Sequence, residues 1–221
     1  MMTTKRANEI TGGLSEPEKM PMGSYNLPAS ACKTGSLMRK VAGSVCSRCY
    51  ACKGRYVFST ARTAMGRRLA SIVHPEWVEA MVLLIGNKAK RTPEAWRLFR
   101  WHDSGDLQSA EHLEKIIEVA RRLPGVRFWL PTMETTIAAP YLADLPDNMV
   151  VRFSTPMLNG HPSPETVKLV RGASRASWTI SGDSAPIGHH ACPAMSGGAH
   201  TCRGNDCKTC WTTVPVTYKT H

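Results

Sequence analysis

Leu98-Phe99-Arg100-Trp101, then Ser109 to Arg122, then Arg127-Phe128-Trp129-Leu130: on this stretch the fold turns. Two short apolar runs, rich in aromatic residues, flank a segment of helical period. Leu113, Ile116, Ile117 and Ala120 share one face of that segment. The alternation continues downstream. A short helix is expected over Ile137 to Leu142, a strand over Met149-Val150-Val151-Arg152-Phe153, a helix over Pro164 to Arg171, and a strand over Ser177-Trp178-Thr179-Ile180. The strand starts lie 22 to 29 residues apart, the length of a βα unit. Such alternation predicts an α/β protein with a parallel sheet. A complete eight-stranded barrel takes about 200 residues or more. With four strands evident, a partial or open β/α barrel is the expected architecture.

Upstream, Ala61, Ala64, Met65 and Leu69 fall at helical spacing from Ser59 onward. A further helix with Pro75 in its first turn carries Trp77, Val78, Met81, Val82 and Leu84. Residues 1–30 read as irregular, because Gly12-Gly13, Pro17, Pro21, Gly23 and Pro28 interrupt them so often. Beyond Ser181 the chain turns Gly-, His- and Cys-rich and loses its period. A single domain is expected: an irregular cysteine-containing segment (1–58), a β/α core (59–181) and a cysteine-rich, metal-binding tail (182–221).

The 221 residues are 42% hydrophobic and 20% charged, a globular composition. The longest apolar run, Trp77 to Ile85, is interrupted by Glu79 and is far too short for a membrane span. The start, Met1-Met2-Thr3-Thr4-Lys5-Arg6, leads into polar residues and not into a signal-peptide core. A cytoplasmic protein with no membrane partner is expected. Charge is uneven. Residues 1–100 hold 17 basic and 6 acidic side chains, whereas 101–221 hold 11 of each. Nine basic residues and no acidic one lie between Lys33 and Arg68. This segment can meet an anionic partner such as nucleic acid, or serve as a solvated face.

In βα architectures the chemistry gathers at the C-terminal ends of the strands. The first strand is followed by His102-Asp103-Ser104-Gly105-Asp106, the second by Pro131-Thr132-Met133-Glu134-Thr135, the third by Ser154-Thr155, the fourth by Ser181-Gly182-Asp183. Four polar endings in register predict a polar site at one rim. His102, Asp103 and Asp106 are the candidate catalytic residues, as bases, acids or ligands. The structural alternative has Asp106 capping the Ser109 helix and His102 hydrogen-bonded in the core.

Eight cysteines form two groups separated by 139 residues. A cytoplasmic chain with clustered cysteines points to metal and not to disulfides. Cys46-x2-Cys49-x2-Cys52 is more typical of iron–sulfur ligation than of zinc, and Cys32 is a candidate fourth ligand. Cys192, Cys202, Cys207 and Cys210 lie within nineteen residues and suffice for a complete zinc or cubane site. Spacing leaves the pairing of the two groups open. His189, His190 and His200 flank the second group as possible further ligands, and His221 is terminal. A [4Fe–4S] cluster is the favoured cofactor, with zinc as the alternative.

Several strings together resemble the bacteriophage "gene product 88" family: Tyr25-Asn26-Leu27-Pro28, Gly43-Ser44-Val45-Cys46-Ser47-Arg48-Cys49-Tyr50-Ala51, Trp101-His102-Asp103-Ser104-Gly105-Asp106, Phe128-Trp129-Leu130-Pro131-Thr132 and Cys210-Trp211. The resemblance implies a phage origin, hence an infected host cell, and a metal–thiolate protein. The family pattern has Leu or a similar residue where Cys52 stands. This implies a ligand set of Cys32, Cys46, Cys49, Cys192, Cys202, Cys207 and Cys210. One site is then short of a thiolate, and His, water or substrate fills the position. A more distant likeness joins the chain to radical S-adenosylmethionine enzymes, which also place a cluster at the rim of a partial barrel and in some phage members carry a string like Cys49-Tyr50-Ala51. Their cluster motif is Cys-x3-Cys-x2-Cys, however, and no Gly-Gly-Glu-type segment is present here.

Three functions are expected in turn. The first is an iron–sulfur enzyme acting on a small molecule, either hydrolase-type through a Lewis-acidic iron or by redox chemistry, with His102 or Asp103 moving the proton. The second is a nucleic-acid-binding protein that uses segment 33–68, with Tyr50, Tyr56 and Phe58 for stacking and a structural metal. The third is a structural or electron-carrying phage component.

Overall fold

In the computed structural model, which describes residues 1–219, seven strands form one open, all-parallel sheet. They are β1 (Ser24–Tyr25), β2 (Leu98–Trp101), β3 (Arg127–Thr132), β4 (Met149–Ser154), β5 (Ala176–Ser181), β6 (His190–Ala191) and β7 (Val216–Tyr218), in the spatial order β1-β2-β3-β4-β5-β7-β6. The expected partial β/α barrel is therefore present, with edges that do not meet. The helices are α1 (Thr4–Thr11), α2 (Lys33–Met38), α3 (Ser59–Ser71), α4 (Trp77–Lys90), α5 (Ala110–Arg122), α6 (Thr135–Ala138) and α7 (Pro164–Arg171), with short 3-10 turns between them. His221 lies outside the described residues.

Local chemistry explains the element ends. Ser109 caps α5 by accepting the His112 N–H, and Ser163 caps α7 by accepting the Thr166 N–H. Helix α4 begins at Trp77, two residues beyond Pro75, which lies outside the helix and not in its first turn. The N-terminal segment is less irregular than its glycines suggest. Thr3 caps α1 at one end, and Gly12, at φ 74°, ends it in the left-handed conformation that glycine adopts without strain. The tail adds β6 and β7 to the sheet edge.

The period-2 alternation of the strands divides the core in two. Phe99, Trp101, Phe128, Leu130, Val151 and Phe153 face the helices and pack with Met81, Ile85, Leu113, Ile116 and Ile117. Leu98, Trp129 and Val150 face the other way and pack with Cys210, Trp211 and Val216 of the tail. The tail thus covers the sheet face that the helices leave bare. Two arginines sit inside these strands. Arg152 is fully buried, and Arg100 lies with its guanidinium 4.4 Å from the Trp129 ring centroid. Among the described residues, no helix is long and apolar enough to cross a membrane.

Candidate metal-thiolate site

Strands β2 to β5 are parallel neighbours, so their polar endings share one rim. Asp106 stands there, buried, and accepts from Thr132 Oγ1 at 2.6 Å, Leu107 N at 2.7 Å and Met133 N at 2.9 Å. It does not cap α5, since Ser109 does. Burial pushes its carboxyl up to about 7 against the pull of these donors. Glu134, on the same rim, accepts from the N–H and hydroxyl of Thr34 at 2.9 and 2.8 Å, which fixes the start of α2 beside the strand ends.

Cysteines approach this rim from two segments. Cys32 immediately precedes α2. Cys46 and Cys49 bracket a tight 3-10 turn, and their loop docks on the chain after β4 through Val45 N to Pro156 O and Leu158 N to Gly43 O, both 2.9 Å. Gly35 lies between them. A Cβ built on it would sit 3.0 Å from Cys32 Cβ, 3.5 Å from Cys46 Sγ and 3.6 Å from Cys32 Sγ. Gly35 has no positive φ that would require glycine, and glycine inside a helix costs about 1 kcal/mol relative to alanine. What its missing side chain leaves is space beside two sulfurs. The Cys32 thiol is pushed up to about 12 by burial and then by the charges of Asp106, Cys49 and Cys46. That of Cys46 rises to about 11 by burial and then through Cys49 and Asp106. Cys46 Sγ also lies 3.4 Å from Met133 Sδ. Cys52 hydrogen-bonds Cys49 and is exposed.

The second group gathers over the other sheet face. Burial raises Cys202 to about 12, helped by the charges of Cys210, Cys192 and Cys207. Cys210 rises to about 11 through burial in spite of Arg152 nearby. Cys207 Sγ lies 3.3 Å from His190 Nε2, and Cys210 Sγ 3.1 Å from the Tyr218 hydroxyl. His189 is engaged by Trp178 Nε1 at 3.1 Å, and His200 is exposed. The structure therefore keeps 32/46/49/52 and 192/202/207/210 as the two groups. All eight cysteines are free. Among the described residues no three His, Cys, Asp or Glu side chains are close enough to hold one ion, so each group is gathered but not closed. The donors are nevertheless those of a thiophilic metal: sulfurs from short, turn-rich segments, with other polar groups already in contact with some of them.

The remaining candidates have different surroundings. The Asp103 carboxylate takes hydrogen bonds from Ser24, from Asn26 at 3.4 Å and from the Tyr56 hydroxyl at 2.8 Å, while the Tyr50 hydroxyl donates to its carbonyl. Arg68 reaches the same knot through Asn26. His102 has a positive φ of 52° and is buried, with its ring 5.3 Å from that of His112 and, among the described residues, no hydrogen-bond partner at either nitrogen. Burial, then His112 and Arg100, hold it well below the usual histidine range, so it is neutral. Sequence reading singled out neither Gly35, Arg100 and Arg152 nor the Ser24–Asn26 pair. A charged residue inside an apolar strand was the available signal for the two arginines.

Fold and site together define an open, parallel α/β protein with one thiol group at its rim and another over one face of the sheet. The chain belongs to the gene product 88 family, which it matches over residues 2–213. No curated protein matches it.

Proposed function

We propose that this is an iron–sulfur protein whose cluster is held at the rim by Cys32, Cys46 and Cys49, and that the rim is an active site for a small molecule. One observation carries the reading: thiols from two separate segments converge on the space beside Gly35, next to Asp106 at the strand ends. Three half-buried thiols with an exposed Cys52 suit a centre with one open position. A bound cluster with an open iron supplies Lewis acidity or redox capacity. The chain's own residues do the rest. Asp106 holds or releases a proton near neutral pH, because burial has moved its carboxyl to about 7. Thr132 and the Met133 N–H orient that carboxylate. Asp106 lies within electrostatic reach of Cys32 and Cys46, whereas Asp103 is tied to Ser24, Asn26 and Tyr56 and His102 packs against His112, so Asp106 is the better placed proton carrier.

Anaerobic purification followed by assay of iron, zinc and acid-labile sulfide tests this. About four iron and four sulfide per chain are expected from a rim cubane, lost on replacing Cys32, Cys46 and Cys49 by Ser. Zinc without sulfide would overturn it.

A second reading draws on the surface around the rim group. Lys33, Lys40, Arg48, Lys53, Arg55, Arg62 and Arg67 are exposed, and none pairs with an acid among the described residues. Phe58, 61% exposed, lies among them. Nucleic acid is the anion this belt suits, and affinity falling steeply with salt is its mark.

A further inference from the structure

We propose that Cys192, Cys202, Cys207 and Cys210 form a second, separate centre: a tetrathiolate site that closes on binding one divalent ion or one cluster, with Arg100 and Arg152 as its counter-charges, which clamps the C-terminal segment onto the sheet. The inference rests on the metal–thiolate reading of this chain but on none of the rim residues.

The argument begins with two buried cations. Arg152 is fully buried and spends its terminal nitrogens on Ser177 Oγ and on the carbonyls of Trp178, Val214, Thr209, Cys210 and Thr212, the last at 2.6 Å. These bonds place its charge under the tail without cancelling it. Arg100, two strands away on the same face, donates a long hydrogen bond of 3.5 Å to the Tyr50 hydroxyl and lies within electrostatic reach of Asp103, and its Nε is buried without a hydrogen-bond partner among the described residues. Neither forms an ion pair among the described residues. Buried charge is costly unless an opposite charge answers it. Cys210 lies within electrostatic reach of both guanidiniums, and Cys202 of Arg100.

Asp103 lies within electrostatic reach of Arg100, so four neutral thiols would leave the Arg152 guanidinium as the buried cation without an opposite charge. Four thiols that lose their protons to solvent and bind one M2+ give a centre of net charge −2, the sign that both guanidiniums favour. The same sum holds for zinc and for a dicationic cluster, so charge defines the ligand set and not the metal. Tyr218 and His190 already touch two of the sulfurs, in the manner of outer groups that steady metal ligands. The tail also needs such a clamp. Residues 192–215 hold only two 3-10 turns, and their apolar hold on the sheet is chiefly Cys210 and Trp211. No carboxylate appears among the charges that perturb these thiols, whereas Asp106 stands among those of the rim group.

The experiment compares full-length wild type, a variant with all four tail cysteines as Ser, and the rim variant C32S/C46S/C49S. Metal and sulfide content and the rate of trypsin cleavage at Arg203 and Lys208 are measured. The tail variant should lose one ion or one cluster per chain and be cut at least tenfold faster, with the rim complement unchanged. The rim variant should keep the tail metal and its protection. A tail variant that binds as much metal as wild type and resists trypsin equally overturns the inference. Metal that survives only in the rim variant's tail would instead sink the rim proposal and leave this one standing. Arg100→Gln tests the counter-charge without disturbing the Arg152 hydrogen bonds: release of tail metal to a chelator should quicken about tenfold, and an unchanged rate removes Arg100 from the proposal.

Discussion

Thr132 Oγ1 donates a 2.6 Å hydrogen bond to the Asp106 carboxylate and in turn accepts the Glu134 N–H at 3.0 Å, so one hydroxyl ties the end of β3 to the loop after β2 and to the start of the next turn. Replacing Thr132 by Val keeps the shape and removes both bonds. The buried Asp106 carboxylate then keeps only its Leu107 and Met133 N–H donors and the buried Glu134 N–H lacks its acceptor, at a cost of about 2–3 kcal/mol. Thermal denaturation should move down by roughly 5–10 °C for a chain of this size. A shift under about 2 °C would mean that the hydroxyl is not holding the rim together.

Gly35 offers a separation of folding from metal binding. Gly35→Val adds helix propensity relative to glycine but brings a branched side chain against Cys32 and the Cys46 sulfur. Far-ultraviolet circular dichroism should stay that of the parent, whereas iron and sulfide at the rim should fall by more than half. Full metal content in the variant would show that the space beside Gly35 is not where the metal sits.

Much of this architecture was legible because the central strands announce themselves. Leu98-Phe99-Arg100-Trp101 and Met149-Val150-Val151-Arg152-Phe153 are apolar runs bounded by turn residues, and Ser109 and Ser163 mark helix starts. The edge elements were not. β1 and β6 have two residues each and β7 has three, too short for a period to show. Helix α1 has a polar sequence, although Thr3 and Gly12 cap it by ordinary rules. At the site, cysteine spacing anticipated that the sulfurs lie in two groups, and the strand-end rule anticipated that Asp106 stands at the rim. The knot around Asp103 was hidden, since Ser24, Asn26 and Tyr56 reach it across separations of 79, 77 and 47 residues.

That knot carries its own prediction. Asp103→Ala leaves the Ser24, Asn26 and Tyr56 donors without an acceptor, and destabilisation of about 3–5 kcal/mol is expected. Asp103→Asn keeps an acceptor oxygen and should cost less than half as much in urea denaturation. Equal losses in the two variants would make the charge, and not the hydrogen-bond geometry, the decisive feature.

His112 makes stability depend on pH in a direction the fold dictates. Its ring is buried among Trp77, His102 and the Gln108 N–H, and burial followed by the Lys115 charge lowers it to about 3. Between about pH 6.5 and 3 the unfolded chain therefore binds a proton at this position that the folded protein refuses, and stability drains away as pH falls. The slope approaches about 1.4 kcal/mol per pH unit for one such group, so about 2 kcal/mol is lost between pH 6.5 and 5. Asp106 acts oppositely over part of this window: raised to about 7, it takes up a proton in the folded state first and gains stability as pH falls. The histidine is isolated by difference. His112→Leu should retain about 2 kcal/mol more of its neutral-pH stability at pH 5 than wild type does, measured by urea denaturation at both pH values. Parallel losses in the two proteins would mean that His112 is protonated while folded, and that the His102–His112 contact opens on acidification.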